Sequence, residues 1–365
     1  MVYLKKLETI YLKYERRLLP VAFFLGFVWD SLTLRRIDFW FENLVFIVHL
    51  FILGLAIFIL NTKKSEQNKL SNFIPEKVAE YVPLIMQFSF GALFSAFFVF
   101  YSRSSSFVAS WPFLVLLFGM LVGNEVFRKK YSRFVFQLSV YFVVVFSYFI
   151  FAIPVLIGKM GALVFVMSGL ASLVFIYLFA HVLSIAKIAE FRKKMRVFSF
   201  SVFIIYLFFN ILYFTNIIPP IPLSVKEIGV YHSVVRNSSG NYVVSAESIP
   251  WYYFYKDSNP NFHWKKGAPV YVFSAVFAPT KIDTKIFHKW EYFDEEKGAW
   301  IEVNKIGFAI SGGRKDGYRG YTMKSSVMPG KWRVDVITER GQVVGRTNFE
   351  VIEDMESVEM EAKIK

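Results

Sequence analysis

Seven long apolar runs, separated by short polar connections, fill the first 220 positions of the chain. They fall near residues 18–34, 39–60, 82–101, 107–127, 134–153, 161–183 and 197–218. Each is close to the ~20 residues that an α-helix needs to cross a bilayer core. The pattern predicts a seven-helix membrane domain over residues 1–218. The first run is the most polar, with Asp30, Ser31 and Thr33 inside it. No small-residue cleavage site follows Leu18–Val28, so this run reads as a retained helix rather than a signal peptide.

Beyond Asn216 the pattern changes. Pro219, Pro220 and Pro222 cannot continue a helix and make residues 219–224 a stiff linker. From there the apolar period is two. Lys331–Val336 places Trp332, Val334 and Val336 on one face and Lys331, Arg333 and Asp335 on the other. Tyr271–Phe277 is apolar at nearly every position and reads as a central strand. Ser238–Asn241, Asp294–Gly298 and Glu339–Gly341 are turn signals between such runs. Eight or nine short strands predict a β-sandwich over residues 225–352, followed by a charged, frayed tail at 353–365. The expected fold class is an α-helical transmembrane bundle of about seven spans followed by an all-β, sandwich-like soluble domain.

Charge then orients the picture. A net charge of +14 invites a nucleic-acid reading, but the excess lies almost wholly before position 221. There it gathers in alternate connections: Lys5–Arg17, Lys63–Lys77, Arg128–Arg133 and Lys187–Arg196. The intervening ones hold only Arg35, Arg36, Arg103 and Lys159. Cytoplasmic loops are enriched in Lys and Arg, so the N-terminus is expected inside and the β domain outside. The basic excess is a topology signal and a contact for anionic lipid, and no nucleic-acid partner is expected. The absence of cysteine removes disulfides, thiolate metal sites and cysteine nucleophiles.

Two clusters are candidates for chemistry. With this topology Asp30, Arg35, Arg36, Asp38, Glu42 and Arg103 gather at the outer rim of the bundle, and His49 lies two turns below Glu42. Ionisable groups within spans are functional suspects. The rim can form a polar pocket for a headgroup, proton or substrate; equally, its ion pairs can simply tie helix ends together. In the β domain, alternation puts His288, Trp290 and Tyr292 on one strand face. That row can stack on a sugar ring or form half of the core. The glycine-rich stretch Gly312–Gly320 carries Arg314, Lys315 and Arg319, either as a basic tip for an anion or glycan or as a plain β-turn. It lacks the Lys-Ser/Thr of a phosphate-binding loop. No HExxH, Ser-His-Asp or Walker pattern occurs; no metal or cofactor is expected, and the reading leans against an enzyme. Gly119 and Gly123 match a small-residue helix-packing motif.

Several stretches in order also carry a likeness. They include Tyr213–Ser224, Gly229–Ser233, Phe273–Thr280, His288–Trp290, Gly312–Arg314, Gly317–Tyr321 and Gly330–Val336. Together they resemble the bacterial domain-of-unknown-function family numbered twenty-nine fourteen, over roughly Tyr213 to Val351. The resemblance implies a multi-span region preceding a C-terminal β domain in a bacterial envelope protein. It implies no activity and no site residues.

The favoured function is an envelope binding or scaffold module that presents a β domain outside a bacterial inner (cytoplasmic) membrane. Its partners are membrane lipids and an envelope glycan, lipid headgroup or protein. The alternative is a transporter of a small molecule or lipid, or an enzyme acting on a lipid-linked substrate through the outer rim.

Overall fold

The computed structural model of the protein describes residues 40–64, 69–103, 107–126, 134–186, 189–220, 222–253, 256–278, 283–311, 317–353 and 358–365, with Val28, Leu32 and Leu34. Six helices come first: α1 (Trp40–Lys63), α2 (Glu76–Arg103), α3 (Phe107–Val126), α4 (Phe134–Ile157), α5 (Ala162–Ile185) and α6 (Ala189–Phe214). All but α3 are long and apolar enough to cross a membrane. The described chain thus supports five to six spans where the apolar runs predicted seven. The expected first span, 18–34, lies almost wholly outside the described residues, and α3 offers only the shorter apolar stretch Ser110–Met120.

Helix α4 is the hub, packing against α1, α2, α5 and α6. Its sequence is apolar on all sides, so it is stable only when surrounded. Leu138, Phe142, Val144, Val145, Phe146 and Phe151 are fully buried. Several of its polar groups are paired across helices, which favours association in lipid, while the Ser147 hydroxyl is buried without a partner. Asn61 Nδ2 donates to Gln137 Oε1 at 2.8 Å, and the Tyr141 hydroxyl donates to the Leu50 carbonyl at 3.0 Å. Close helix approach falls at Gly169 on α5. A Cβ there would lie 2.7 Å from the Tyr206 ring on α6, whereas one at Gly119 would meet open space. Packing through Gly119, expected from its spacing to Gly123, is therefore not seen among the described residues.

Eleven strands follow in the described residues: β1 (Ser224–Tyr231), β2 (Ser233–Arg236), β3 (Tyr242–Glu247), β4 (Asn261–Trp264), β5 (Val270–Phe277), β6 (Asp283–Asp294), β7 (Ala299–Ser311), β8 (Tyr318–Lys324), β9 (Gly330–Thr338), β10 (Val343–Glu353) and β11 (Met360–Ile364). They form three sheets, ordered β1-β5-β8, β4-β10-β9-β6-β7 and β11-β3-β2. The expected two-sheet sandwich gains a third layer because β5 is apolar on both faces. Val270 and Val272 pack with Trp290, Trp332 and Val334 of the five-stranded sheet. On the opposite face, Phe273 and Ala275 pack with Val234 and Val244 of the third sheet.

The C-terminal segment also departs from expectation. Met360–Ile364 is not frayed but pairs antiparallel with β3, Met360 opposite Glu247 and Ile364 opposite Val243. Its alternation of Met360, Ala362 and Ile364 with Glu361 and Lys363 is a short strand pattern.

Candidate functional site

The membrane helices meet the β sheets at one seam. Helix α6 ends where Asn216 adopts a left-handed backbone, φ 59°, a conformation that asparagine tolerates. The amides of Ile217 and Ile218 turn back onto the Leu212 carbonyl at 2.9 and 3.1 Å. Pro219, Pro220 and Pro222 follow and lead the chain into β1. Against this corner sits the β9–β10 turn, Thr338–Gln342, tightened by the Gly341 amide donating to the Thr338 carbonyl at 2.9 Å. Gln342 Nε2 donates to the Ile218 carbonyl at 3.3 Å, and Asn216 Nδ2 donates to the Arg340 carbonyl at 3.3 Å. The Arg340 guanidinium lies over two rings of α6, 4.2 Å from the centre of Tyr213 and 5.2 Å from that of Phe214.

Between turn and helices lies a pocket of ≈ 100 Å³. Its floor is apolar, from Ile150 and Pro154 of α4, Phe165 of α5 and the Tyr213 ring. Its roof is polar, from Thr284 at the start of β6 and from Thr338, Glu339, Arg340 and Gln342. Arg340 Nη1 in this lining, and Asn216 Oδ1 beside it, are buried without a hydrogen-bond partner. From the sequence, Glu339–Gly341 is legible only as a turn. The further signal was an arginine in that turn and an aromatic pair, Tyr213–Phe214, ending the last apolar run.

Of the predicted rim, Asp30, Arg35, Arg36 and Asp38 lie outside the described residues. Glu42 stands in the first turn of α1, 7% exposed, and its Oε2 has no hydrogen-bond partner. Arg103 closes α2. His49 Nδ1 lies 3.3 Å from Ser89 Oγ, so it links α1 to α2.

The predicted β-domain row is inside the protein. His288 and Trp290 are fully buried, so the face expected to stack on a sugar or form half of the core packs into the core. Trp290 Nε1 donates to Thr322 Oγ1 at 3.0 Å, leaving that hydroxyl's proton for His288 Nδ1 at 2.9 Å. His288 Nε2 then donates to Ser274 Oγ at 2.7 Å, a neutral imidazole satisfied at both nitrogens. Burial pushes its pKa down to about 3. Tyr292 is half-buried against Trp332, ring centres 5.2 Å apart. Arg314 and Lys315 lie outside the described residues. Arg319 is not a free basic tip: its Nη1 donates to Asn241 Oδ1 at 3.1 Å and to the Lys365 carbonyl at 2.5 Å.

A second cluster was not anticipated. Glu247, 4% exposed, accepts from His232 Nε2 and His263 Nδ1, each at 2.9 Å. The His263 amide adds a third bond at 2.8 Å. Burial alone would raise this carboxyl, but the hydrogen bonds from both histidines bring it below the usual carboxylate range. The clamp joins β3, β4 and the β1–β2 corner. Among the described residues, no group of three or more His, Cys, Asp and Glu could hold a metal ion.

Comparison with known proteins bears on one part of this arrangement. Residues 283–351 match a family described as a protein of unknown function (DUF2914). The β6–β10 segment matches DUF2914. That segment supplies the pocket roof, Thr284 and Thr338–Gln342, and the buried His288, Trp290 and Trp332. No curated protein matches the chain. Among solved structures, an immunoglobulin-like protein from Pseudomonas aeruginosa is 13% identical with a TM-score of 0.21, over 36% of this chain and 96% of that one. A β-glucosidase from Listeria innocua in complex with gluconolactone is 13% identical with a TM-score of 0.19, over 30% of this chain and 16% of that one. The alkylpurine DNA glycosylase AlkC of Pseudomonas fluorescens is 9% identical with a TM-score of 0.22, over 84% and 98%. At such scores none of them carries an argument about the fold or function of the DUF2914 segment or its surroundings.

Proposed function

We propose that this protein is a membrane-anchored binding or scaffold module of a bacterial inner (cytoplasmic) membrane, presenting its β region on the periplasmic or extracellular side. The observation that carries the reading is the seam. Arg340 on Tyr213 and Gln342 on the Ile218 carbonyl hold the β region in one orientation over the helix ends. A display platform needs such a fixed seat. The charge distribution supports the orientation: the α1–α2, α3–α4 and α5–α6 connections with the adjoining helix ends hold 13 of the 22 Lys and Arg before position 221, and the β region follows the opposite end of α6.

The partners are membrane lipids and a glycan, lipid headgroup or protein of the envelope. Trp251, 86% exposed beside Tyr252, supplies an aromatic contact surface for such a partner. A phosphatase reporter that works only outside the cytoplasm, fused after Lys365, tests the orientation. Activity is expected; a silent fusion at normal expression rejects it. A photo-crosslinker at position 251 should then capture a defined envelope component.

The buried Glu42, with its unpartnered oxygen, supports a second reading, transport or catalysis at the outer rim. Loss of phenotype in Glu42→Gln, with Trp251→Ala silent, would favour it.

A further inference from the structure

We propose that the seam pocket binds a phospholipid headgroup bearing both a phosphate and a primary ammonium, of the phosphoethanolamine type. The proposal stands on the seam alone, and does not require the β region to bind any envelope partner.

The position comes first. The pocket lies where the ends of α4 and α6 and the start of α5 meet the β9–β10 turn, the level at which a lipid headgroup sits if these helices cross a bilayer. Its apolar floor faces the helix ends and its polar roof faces away from them. A volume of ≈ 100 Å³ admits a headgroup and leaves no room for acyl chains, which must run down the outside of the helices.

The unmet hydrogen-bonding capacity then selects the ligand. Arg340 makes no ion pair among the described residues, and its Nη1 is buried without an acceptor. A phosphate oxygen is the natural partner, since guanidinium–phosphate bonds are charge-assisted and directional. An anionic headgroup with only hydroxyls would stop there. Glu339, adjacent in sequence, exposed and lining the same pocket, also lacks an ion pair among the described residues. Asn216 Oδ1 is a buried acceptor with no donor, because its Nδ2 is held by the Arg340 carbonyl. A primary ammonium offers three N–H donors to these two oxygens. A quaternary ammonium offers none. One orphan cationic donor and the Glu339 carboxylate in the pocket wall, with Asn216 Oδ1 beside it, therefore match a zwitterion with an N–H-bearing cation.

The same chemistry exists in soluble phosphoethanolamine compounds; the apolar floor and the site's place at the helix ends favour the lipid. The test uses the full-length protein, delipidated in detergent, with equimolar phosphatidylethanolamine, phosphatidylglycerol and phosphatidylcholine followed by native mass spectrometry. The wild type should retain phosphatidylethanolamine in preference to both others, by about tenfold. Arg340→Gln should lose that retention. Glu339→Gln, at an exposed position, should keep phospholipid but lose the preference for the ethanolamine headgroup over glycerol. Equal retention of all three lipids by the wild type, or the same selectivity in folded Arg340→Gln and Glu339→Gln, means annular lipid only and overturns the proposal. If Arg340→Gln unfolds, Glu339→Gln decides alone. Binding of water-soluble glycerophosphoethanolamine as tight as that of the lipid would also overturn it, by making the source a soluble one. None of these outcomes depends on the side of the membrane that the reporter fusion reads.

Discussion

The Arg340 guanidinium lies 4.2 Å from the centre of the Tyr213 ring, joining a β-turn to the last turn of a membrane helix. A desolvated cation–π contact of this kind contributes about 0.5–2 kcal/mol. Arg340→Ala should loosen the seam without unfolding either half. The expected signature is faster amide exchange at Ile217 and Ile218, by roughly thirtyfold at the upper end of that energy. Unchanged exchange there would show that Gln342 and the Pro-containing linker hold the seam by themselves.

His288 should make stability depend on pH. In the folded state burial keeps its imidazole neutral down to about pH 3, whereas the unfolded chain takes up the proton near 6.5. Its contribution is therefore complete above pH 6.5 and is lost progressively as the pH falls from there toward 3. Each unit in that window costs about 1.4 kcal/mol. Glutamine can bond both Ser274 and Thr322 without titrating. Denaturant unfolding of His288→Gln should thus lose about 2 kcal/mol less than the wild type between pH 7 and pH 5. Parallel pH profiles would refute the neutral, buried imidazole.

Two tryptophans should respond in opposite ways. Trp290 is fully buried and bonded to Thr322, so Trp290→Ala should cost about 3–5 kcal/mol and lower the unfolding midpoint sharply. Trp251 is 86% exposed, so Trp251→Ala should stay within about 0.5 kcal/mol of the wild type. A phenotype in Trp251→Ala at unchanged stability marks a contact surface; one in Trp290→Ala reports the fold.

Gly169 and Gly119 of the bundle can be compared in the same way. A Cβ at Gly169 would stand 2.7 Å from the Tyr206 ring and 3.2 Å from Phe146, so Gly169→Ala must displace aromatic packing between α4, α5 and α6. A loss of about 1–3 kcal/mol is expected in a detergent unfolding assay. Gly119→Ala meets open space and should be neutral or stabilising, since alanine is the better helix former. Equal effects at both sites would contradict the packing described.

The Glu247 clamp shows how much the linear pattern conceals. His232, Glu247 and His263 fall at the β1–β2 corner, the end of β3 and within β4, and no local spacing announces them. Only the folding of three sheets brings both imidazoles to within 2.9 Å of one carboxylate. The Arg340 site is of the same kind, since a turn residue finds Tyr213 across more than a hundred positions.

By itself the chain determined what depends on neighbours along the backbone. Apolar runs long enough to span lipid marked α1, α2, α4, α5 and α6. Prolines at 219, 220 and 222 marked the end of the last helix, and strict alternation marked β9, with Trp332, Val334 and Val336 inward. What only the tertiary structure decided was which side of each alternating pattern is covered, and by what. Period two put His288, Trp290 and Tyr292 on one face, but whether that face meets water or another sheet is a property of the partner layer. The double-sided apolarity of β5 required cover on both faces without naming the strands that provide it. Likewise Arg319 and Arg340 carry the same charge in the sequence. The Nη1 of one is tied to Asn241 and the Lys365 carbonyl and the Nη1 of the other is empty, because hydrogen-bond satisfaction is set by distances between segments that the linear order does not contain.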